Sequence, residues 1–167
     1  MKFIVKKESL EKLLKACFGV VMAKGIDNSK AYPEIDQLLN ESIAAAAQRF
    51  EGKEVKEEPD ILPYRKAFHA LSINPNKHLC SIEFLFTRIT KGKRMPHINP
   101  IVDLGNAVSL KHTISMSAHD LGDNGEDARC VISQFSNRSI CSKRSVRHSP
   151  WLLFGNATSG WSIIPVG

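Results

Sequence analysis

Apolar side chains recur at helical spacing along one long segment, residues 33–51. Pro33 suits the first turn of a helix, the acidic residues that follow it favour the positive end of the helix dipole, and Gly52 suits its end. The apolar positions fall on one stripe, which consists of Ile35, Leu38, Leu39, Ile43, Ala46 and Phe50. This pattern predicts an amphipathic helix over residues 33–51.

Three shorter helices are predicted by similar spacing and by residues that favour helix ends. Ser81 is the expected N-cap of one of them and Gly92 its stop, while Asn99 followed by Pro100 is typical of a cap and a first turn. The three predicted ranges are 64–72, 81–91 and 100–110.

Two further segments have the pattern of strands. Residues 17–23 form a short apolar run with β-branched side chains, bounded by Lys24 and Gly25, which predicts a buried strand followed by a turn. Residues 115–120 are expected to be extended, with a turn at 123–125. Helices and strands together predict an α+β fold, with one domain in residues 1–127.

Length and composition agree with a single globular domain. The chain has 167 residues, of which 43% are hydrophobic and 24% are charged. Its longest apolar run, residues 17–23, is too short to cross a bilayer, and the first eight residues lack the apolar stretch of a secretory signal. The four cysteines are widely separated, as in proteins of a reducing compartment. We therefore expect a cytoplasmic protein with no membrane partner.

The net charge of +6 lies mostly in residues 128–167, called the tail below. The tail has five basic and no acidic residues, whereas residues 1–127 have 18 basic and 17 acidic ones. It also holds eight serines and both tryptophans, and its apolar fragments show no sustained periodicity. We interpret it as a basic, Ser-rich tail of doubtful order with few long-range contacts to the domain; a basic RNA-binding arm is the alternative.

The sequence contains no phosphate loop, dinucleotide fingerprint, nucleophile elbow or zinc-protease motif. His78 and Cys80 could share a metal with His69 or His97, but such scattered residues are usually ordinary surface or core positions. The sequence therefore predicts no metal and no organic cofactor.

Several polar residues are suited to meeting a ligand. Tyr64, Arg65 and Arg88 could stack on bases or grip phosphates, or could serve only in helix packing. Asp103 and Asn106 lie one turn apart on an otherwise apolar helix, so each needs a hydrogen-bond partner, either within the protein or in a ligand.

A third group lies on the predicted strand 115–120. Ser117 and His119 share one face, while Asp120 points to the other, which argues against a simple catalytic triad.

Four segments together resemble the B3/B4 domain, a module of the β subunit of phenylalanyl-tRNA synthetase that also occurs as small stand-alone proteins. They are Tyr-Arg at 64–65, Arg-Ile-Thr-Lys-Gly at 88–92, Ile-Asn-x-x-Val-Asp-x-x-Asn at 98–106 and Ala-His-Asp at 118–120. The resemblance extends over roughly residues 10–127.

The resemblance implies helices packed around an antiparallel, barrel-like β core. Because the tail does not resemble the family's continuation, this core is expected to be incomplete at its C-terminal end. In the synthetase the module hydrolyses tyrosine wrongly attached to the phenylalanine tRNA, so the implied partner is tRNA or aminoacyl-tRNA. The implied substrate-binding residues are Tyr64, Arg65, Arg88, Asn106 and Ser117. His119 is the candidate catalytic base.

The sequence also departs from the family at one position. Ser117 stands where the synthetase pattern has a histidine, and the nearby His119 lies on the other side of the intervening alanine. Three hypotheses therefore stay open: a tRNA-binding module that hydrolyses misacylated tRNA, a non-catalytic module that binds RNA or an aminoacyl ligand, and a truncated or frame-shifted inactive product.

Overall fold

A computed structural model describes residues 11–13, 17–23, 27–120 and 151–157. Within that part of the chain the fold combines four α-helices with three strands. The elements are β1 (Cys17–Ala23), α1 (Pro33–Arg49), a 3₁₀ turn (Val55–Glu57), α2 (Leu62–Ala70), α3 (Ser81–Thr90), α4 (Pro100–His112), β2 (Ser115–Asp120) and β3 (Trp151–Ala157). The predicted turn at 123–125 lies outside the described residues.

Local signals set the helix boundaries, and all four predicted helices are confirmed to within two residues at each end. Pro33 and Pro100 occupy first-turn positions, and the side chain of Asn99 accepts a hydrogen bond from the amide of Val102 at 3.0 Å. Gly52 and Gly92 follow their helices with φ values of +68° and +65°, a conformation that glycine adopts without strain.

One predicted cap is wrong. Cys80, not Ser81, is the N-cap of α3, and it forms no capping hydrogen bond through its side chain. The Ser81 hydroxyl lies 2.5 Å from the hydroxyl of Ser115 instead. The Ser81 side chain, which the local pattern predicted to cap α3, therefore makes a tertiary contact between α3 and β2.

The core lies between the helices. The predicted helices supply most of it: Leu39, Ile82 and Phe86 are fully buried, and the rings of Phe50 and Phe86 are tilted against each other with their centroids 4.5 Å apart. Ile61, just before α2, is also fully buried and was not predicted. Helix α1 packs along α4, and α3 contacts α1, α4 and β2.

The three strands form an antiparallel sheet in the order β1-β3-β2. Since β1 and β2 are the two edges of the sheet, the described residues do not confirm a closed, barrel-like core. The prediction that residues 17–23 form a buried strand is right about the strand but wrong about its burial, because Val21 is 59% exposed at the edge.

Strand β3 was not expected from the sequence. Its backbone pairs with β1 from Cys17 to Ala23 and with β2 from Ser115 to Asp120. The prediction that the tail makes few long-range contacts is therefore wrong for residues 151–157. The rest of the tail lies outside the described residues, and the domain boundary at residue 127 stays a prediction.

Candidate RNA-binding site

The tyrosine predicted to bind substrate lies in the core. The side chain of Tyr64, on α2, is only 5% exposed. Its hydroxyl accepts a hydrogen bond from the amide of Ser115 at 3.1 Å and approaches the carbonyl oxygen of Thr113 at 3.5 Å. Burial raises the pKa of the Tyr64 hydroxyl, an effect that the Ser115 amide partly opposes. A buried ring has no free face for a base, so the structure favours a packing role for Tyr64.

The guanidinium of the neighbouring Arg65 is held by other parts of the protein. Its Nη1 lies 2.5 Å from a carboxylate oxygen of Glu83, which is 3% exposed, and its Nη2 donates to the side chain of Asn76. This pair joins α2 to α3 in a largely buried setting, where a charge needs a partner. Arg65 therefore stabilises the scaffold, and its predicted role in substrate binding stays untested.

Arg88 lies at the end of α3, where the chain turns sharply. The amide of Lys93 donates to the carbonyl oxygen of Arg88 at 3.0 Å, and the amide of Gly92 donates to the carbonyl oxygen of Ile89 at 2.9 Å. With the positive φ of Gly92, these two bonds form a Schellman motif. The Nε of Arg88 also donates to the carbonyl of Arg94 at 2.9 Å, which fixes the Arg88 side chain against the turn.

The turn carries a group of exposed cations. Lys91, Lys93 and Arg94 are exposed and follow Arg88 within six residues. We call these four residues the basic turn. The sequence pattern predicted Arg88 but not the two cations after Gly92, although the run of charged residues was the available signal. Four cations on a rigid turn form a surface suited to phosphate groups.

Two polar residues of α4 have different environments. Asp103 is 4% exposed, and its carboxylate accepts a hydrogen bond from the amide of Ile98 at 3.2 Å, so it supports the start of the helix. Asn106, one turn later, is half-buried. Its amide has no hydrogen-bond partner in the part of the chain that the structure describes, so it is open to water or to a ligand.

The strand residues of the predicted site follow α4 directly. Ser117 lies on β2 and is exposed, and β2 contacts both α3 and α4. His119 is also on β2, but its side chain is outside the described residues. Arg88, Asn106 and Ser117 thus lie on three elements that pack together, and their convergence on one concavity stays a prediction.

A separate groove of about 480 Å³ opens between the start of α1 and the start of α4. Asp36, His97 and Asp103 lie on its wall, and one potential ligand atom from each lies within 4.8 Å of the others. From the sequence, His97 was a candidate ligand only together with other histidines and Cys80. Asp36 and His97 are far apart in the chain, so their spacing did not predict that they would lie together with Asp103.

Comparison with known protein families supports part of the sequence prediction. The family model of the B3/4 domain matches residues 63–140, a little under half of the chain. The matched segment includes α2, α3, α4 and β2, and hence every residue of the predicted site.

Residues 63–140 are therefore similar to the B3/4 domain, which is found in the β subunit of phenylalanyl-tRNA synthetase. No curated protein and no solved structure gave a significant match to the chain. No helix within the described residues has the length and hydropathy needed to cross a bilayer.

Proposed function

We propose that this protein is a tRNA-binding module of the B3/4 type, which holds the aminoacyl end of a tRNA. The family match over residues 63–140 carries this proposal. Two features of the described chain support it: the basic turn and the half-buried amide of Asn106.

The basic turn supplies the electrostatic part of binding. Its four cations follow each other closely, and the Schellman motif limits their motion relative to α3. Contacts between cations and phosphates provide most of the affinity in sequence-independent nucleic-acid binding. Because its Nε is already held by the Arg94 carbonyl, the guanidinium group of Arg88 can bind phosphate oxygens with a smaller loss of side-chain entropy.

Asn106 supplies hydrogen bonds that recognise the aminoacyl group. An amide offers both a donor and an acceptor, and so suits an ester carbonyl or a free hydroxyl. A half-buried amide discriminates well because a ligand that lacks the matching group leaves it unpaired.

We propose binding without hydrolysis as the primary activity. Ester hydrolysis requires a base that takes a proton from water as the water attacks the carbonyl carbon, and the released tRNA hydroxyl must then regain a proton. Ser117, at the position of the family's histidine, is not basic enough for this step. His119 is two residues away on the same strand, so hydrolysis of misacylated tRNA is the second hypothesis.

The test measures tRNA affinity for the full chain and two charge-matched double variants. In one, Lys93→Gln and Arg94→Gln remove two cations of the basic turn; in the control, Lys53→Gln and Lys56→Gln remove two exposed lysines near the 3₁₀ turn. Fluorescence anisotropy with end-labelled tRNA, repeated at several salt concentrations, gives both the affinity and its salt dependence.

We expect a selective loss. If both cations contact phosphates, the slope of log K against log salt becomes shallower by about 1.4, which corresponds to about 25-fold weaker binding at 0.1 M salt. The control should change affinity by less than about threefold, through the net charge alone. Equal losses in the two variants would refute the basic turn as a specific site, and an absence of tRNA binding at low salt would refute the function.

Catalysis is tested separately with misacylated tRNA. The non-catalytic module leaves the ester intact at the background rate. Hydrolysis that disappears in Asn106→Ala and His119→Ala would instead favour the editing activity.

A further inference from the structure

The groove beside α1 contains a set of side chains that the tRNA proposal does not use. His97 Nδ1 lies 3.2 Å from Asp103 Oδ2 and 3.9 Å from Asp36 Oδ1. The three residues come from the start of α1, the segment before α4 and the first turn of α4. The fold therefore assembles two carboxylates and one imidazole from separate elements at one wall of a groove.

These distances suit metal coordination. Two neighbouring ligand atoms, each about 2.1 Å from an octahedral ion, are about 3.0 Å apart, and the separation is about 3.4 Å around a tetrahedral ion. The His97 separations of 3.2 and 3.9 Å are within about 1 Å of these values, and all three ligand atoms lie within 4.8 Å of one another. Asp36 and His97 are half-exposed, with side-chain exposures of 55% and 46%, so both are free to make that movement.

Asp103 is the fixed member of the set. One of its oxygens accepts the amide of Ile98, and this bond orients the other oxygen toward His97. A carboxylate held in this way is a preorganised ligand, because its orientation does not have to be set on binding. Its burial also reduces competition from water.

A second observation from the same groove points to a missing partner for a polar atom. Asn28 lies on the groove wall, and its Oδ1 is buried without a hydrogen-bond partner in the described part of the chain. A buried oxygen of this kind is destabilising unless a donor or a cation satisfies it. A cation, or water molecules bound to a cation, would do so. Lys30 also lies on the wall, but its ammonium is paired with Asp27 at 3.7 Å.

From these observations we infer that Asp36, His97 and Asp103 bind one divalent first-row metal ion, such as Mn²⁺, at the groove. Oxygen and imidazole ligands in this ratio suit Mn²⁺ and similar ions better than ions that require thiolates. Three protein ligands leave other coordination positions for water or for an anionic group in the groove. The site is independent of the basic turn and of tRNA binding.

The experiment titrates Mn²⁺ into the full chain and follows the electron paramagnetic resonance signal of free Mn²⁺, which decreases when the ion binds. Asp36→Asn and His97→Gln each remove one ligand. The control, Glu34→Gln, removes the same charge as Asp36→Asn two residues away on α1, at an exposed position that is not part of the groove wall. All three positions lie outside the core, so folding should be retained.

We expect one Mn²⁺ per wild-type chain, with binding at least about tenfold weaker in Asp36→Asn and in His97→Gln. Glu34→Gln should change the affinity by less than about twofold. The proposal is overturned if the wild-type chain binds no Mn²⁺ at 1 mM, which would leave only a hydrogen bond between His97 and Asp103, with Asp36 nearby. It is also overturned if Glu34→Gln weakens binding as much as Asp36→Asn does.

Discussion

The hydroxyl of Tyr64 connects α2 to the junction between α4 and β2, and its removal provides a sharp test of the buried structure. The Tyr64→Phe variant keeps the ring, which belongs to the core, and removes only one oxygen atom. That oxygen accepts the Ser115 amide at 3.1 Å and lies 3.5 Å from the Thr113 carbonyl. The change therefore acts on hydrogen bonding with little effect on packing.

The expected loss follows from the groups that are left without a partner. The Ser115 amide loses its acceptor in a half-buried position, and an amide stranded in this way costs about 1–3 kcal/mol. The contact with Thr113 is at the limit of hydrogen-bond distance and adds little. We therefore expect the free energy of unfolding to fall by about 1–2 kcal/mol.

The chain offers a matched control, because its other tyrosine allows the same substitution. The Tyr32 hydroxyl donates to the carbonyl of Asp27 at 3.3 Å near the surface, where water can replace it, so Tyr32→Phe should cost less than about 0.5 kcal/mol. Urea denaturation followed by circular dichroism measures both variants.

Equal losses in the two variants would refute the argument from burial. The same samples also test ligand binding: if Tyr64 only packs, Tyr64→Phe binds tRNA as tightly as the wild type wherever the variant is folded. A specific loss of tRNA affinity would restore Tyr64 to the substrate-binding residues.

Two other features of the scaffold lead to predictions. Gly92→Ala should destabilise the protein by about 1 kcal/mol, because φ is +65° at this position. A Cβ atom there would meet no neighbour within 4 Å, so the cost comes from backbone strain alone. A neutral result in thermal unfolding would contradict the Schellman geometry. Burial raises the pKa of the Cys80 thiol from 9.0 to about 11. The unfolded chain therefore loses this proton first, and stability should fall by about 2–3 kcal/mol between pH 9 and 11. Cys80→Ala should flatten the fall measured by urea denaturation at each pH, and an unchanged profile would show that another group titrates there.

Much of the helical structure was predictable because its causes are local. The Asn99 cap, the first-turn prolines and the glycine stops act over three to five residues, and the sequence placed each helix from them. The apolar stripe of α1 likewise predicted which face enters the core, since residues three and four apart share a face.

The predicted site was recoverable only in part. Motif spacing identified Arg88 and Asn106 as polar positions on consecutive helices, and the structure leaves both partly exposed. Tyr64 and Arg65 were predicted on the same grounds, but the structure holds both within the scaffold. A tyrosine or an arginine has the same chemistry in a core and in a binding site, so only its neighbours distinguish the two roles.

The sequence by itself thus determined the helices, the strand at residues 17–23 and the family resemblance, all of which depend on short-range pattern. Tertiary structure decided which distant residues meet: β3 with both other strands, Arg65 with Glu83, and His97 with Asp36. Such contacts depend on how helices pack and on which strands pair, and each requires closing a long loop of chain. Local periodicity does not predict which distant residues meet, because the free energy that favours one packing arrangement is shared among many weak contacts across the whole fold.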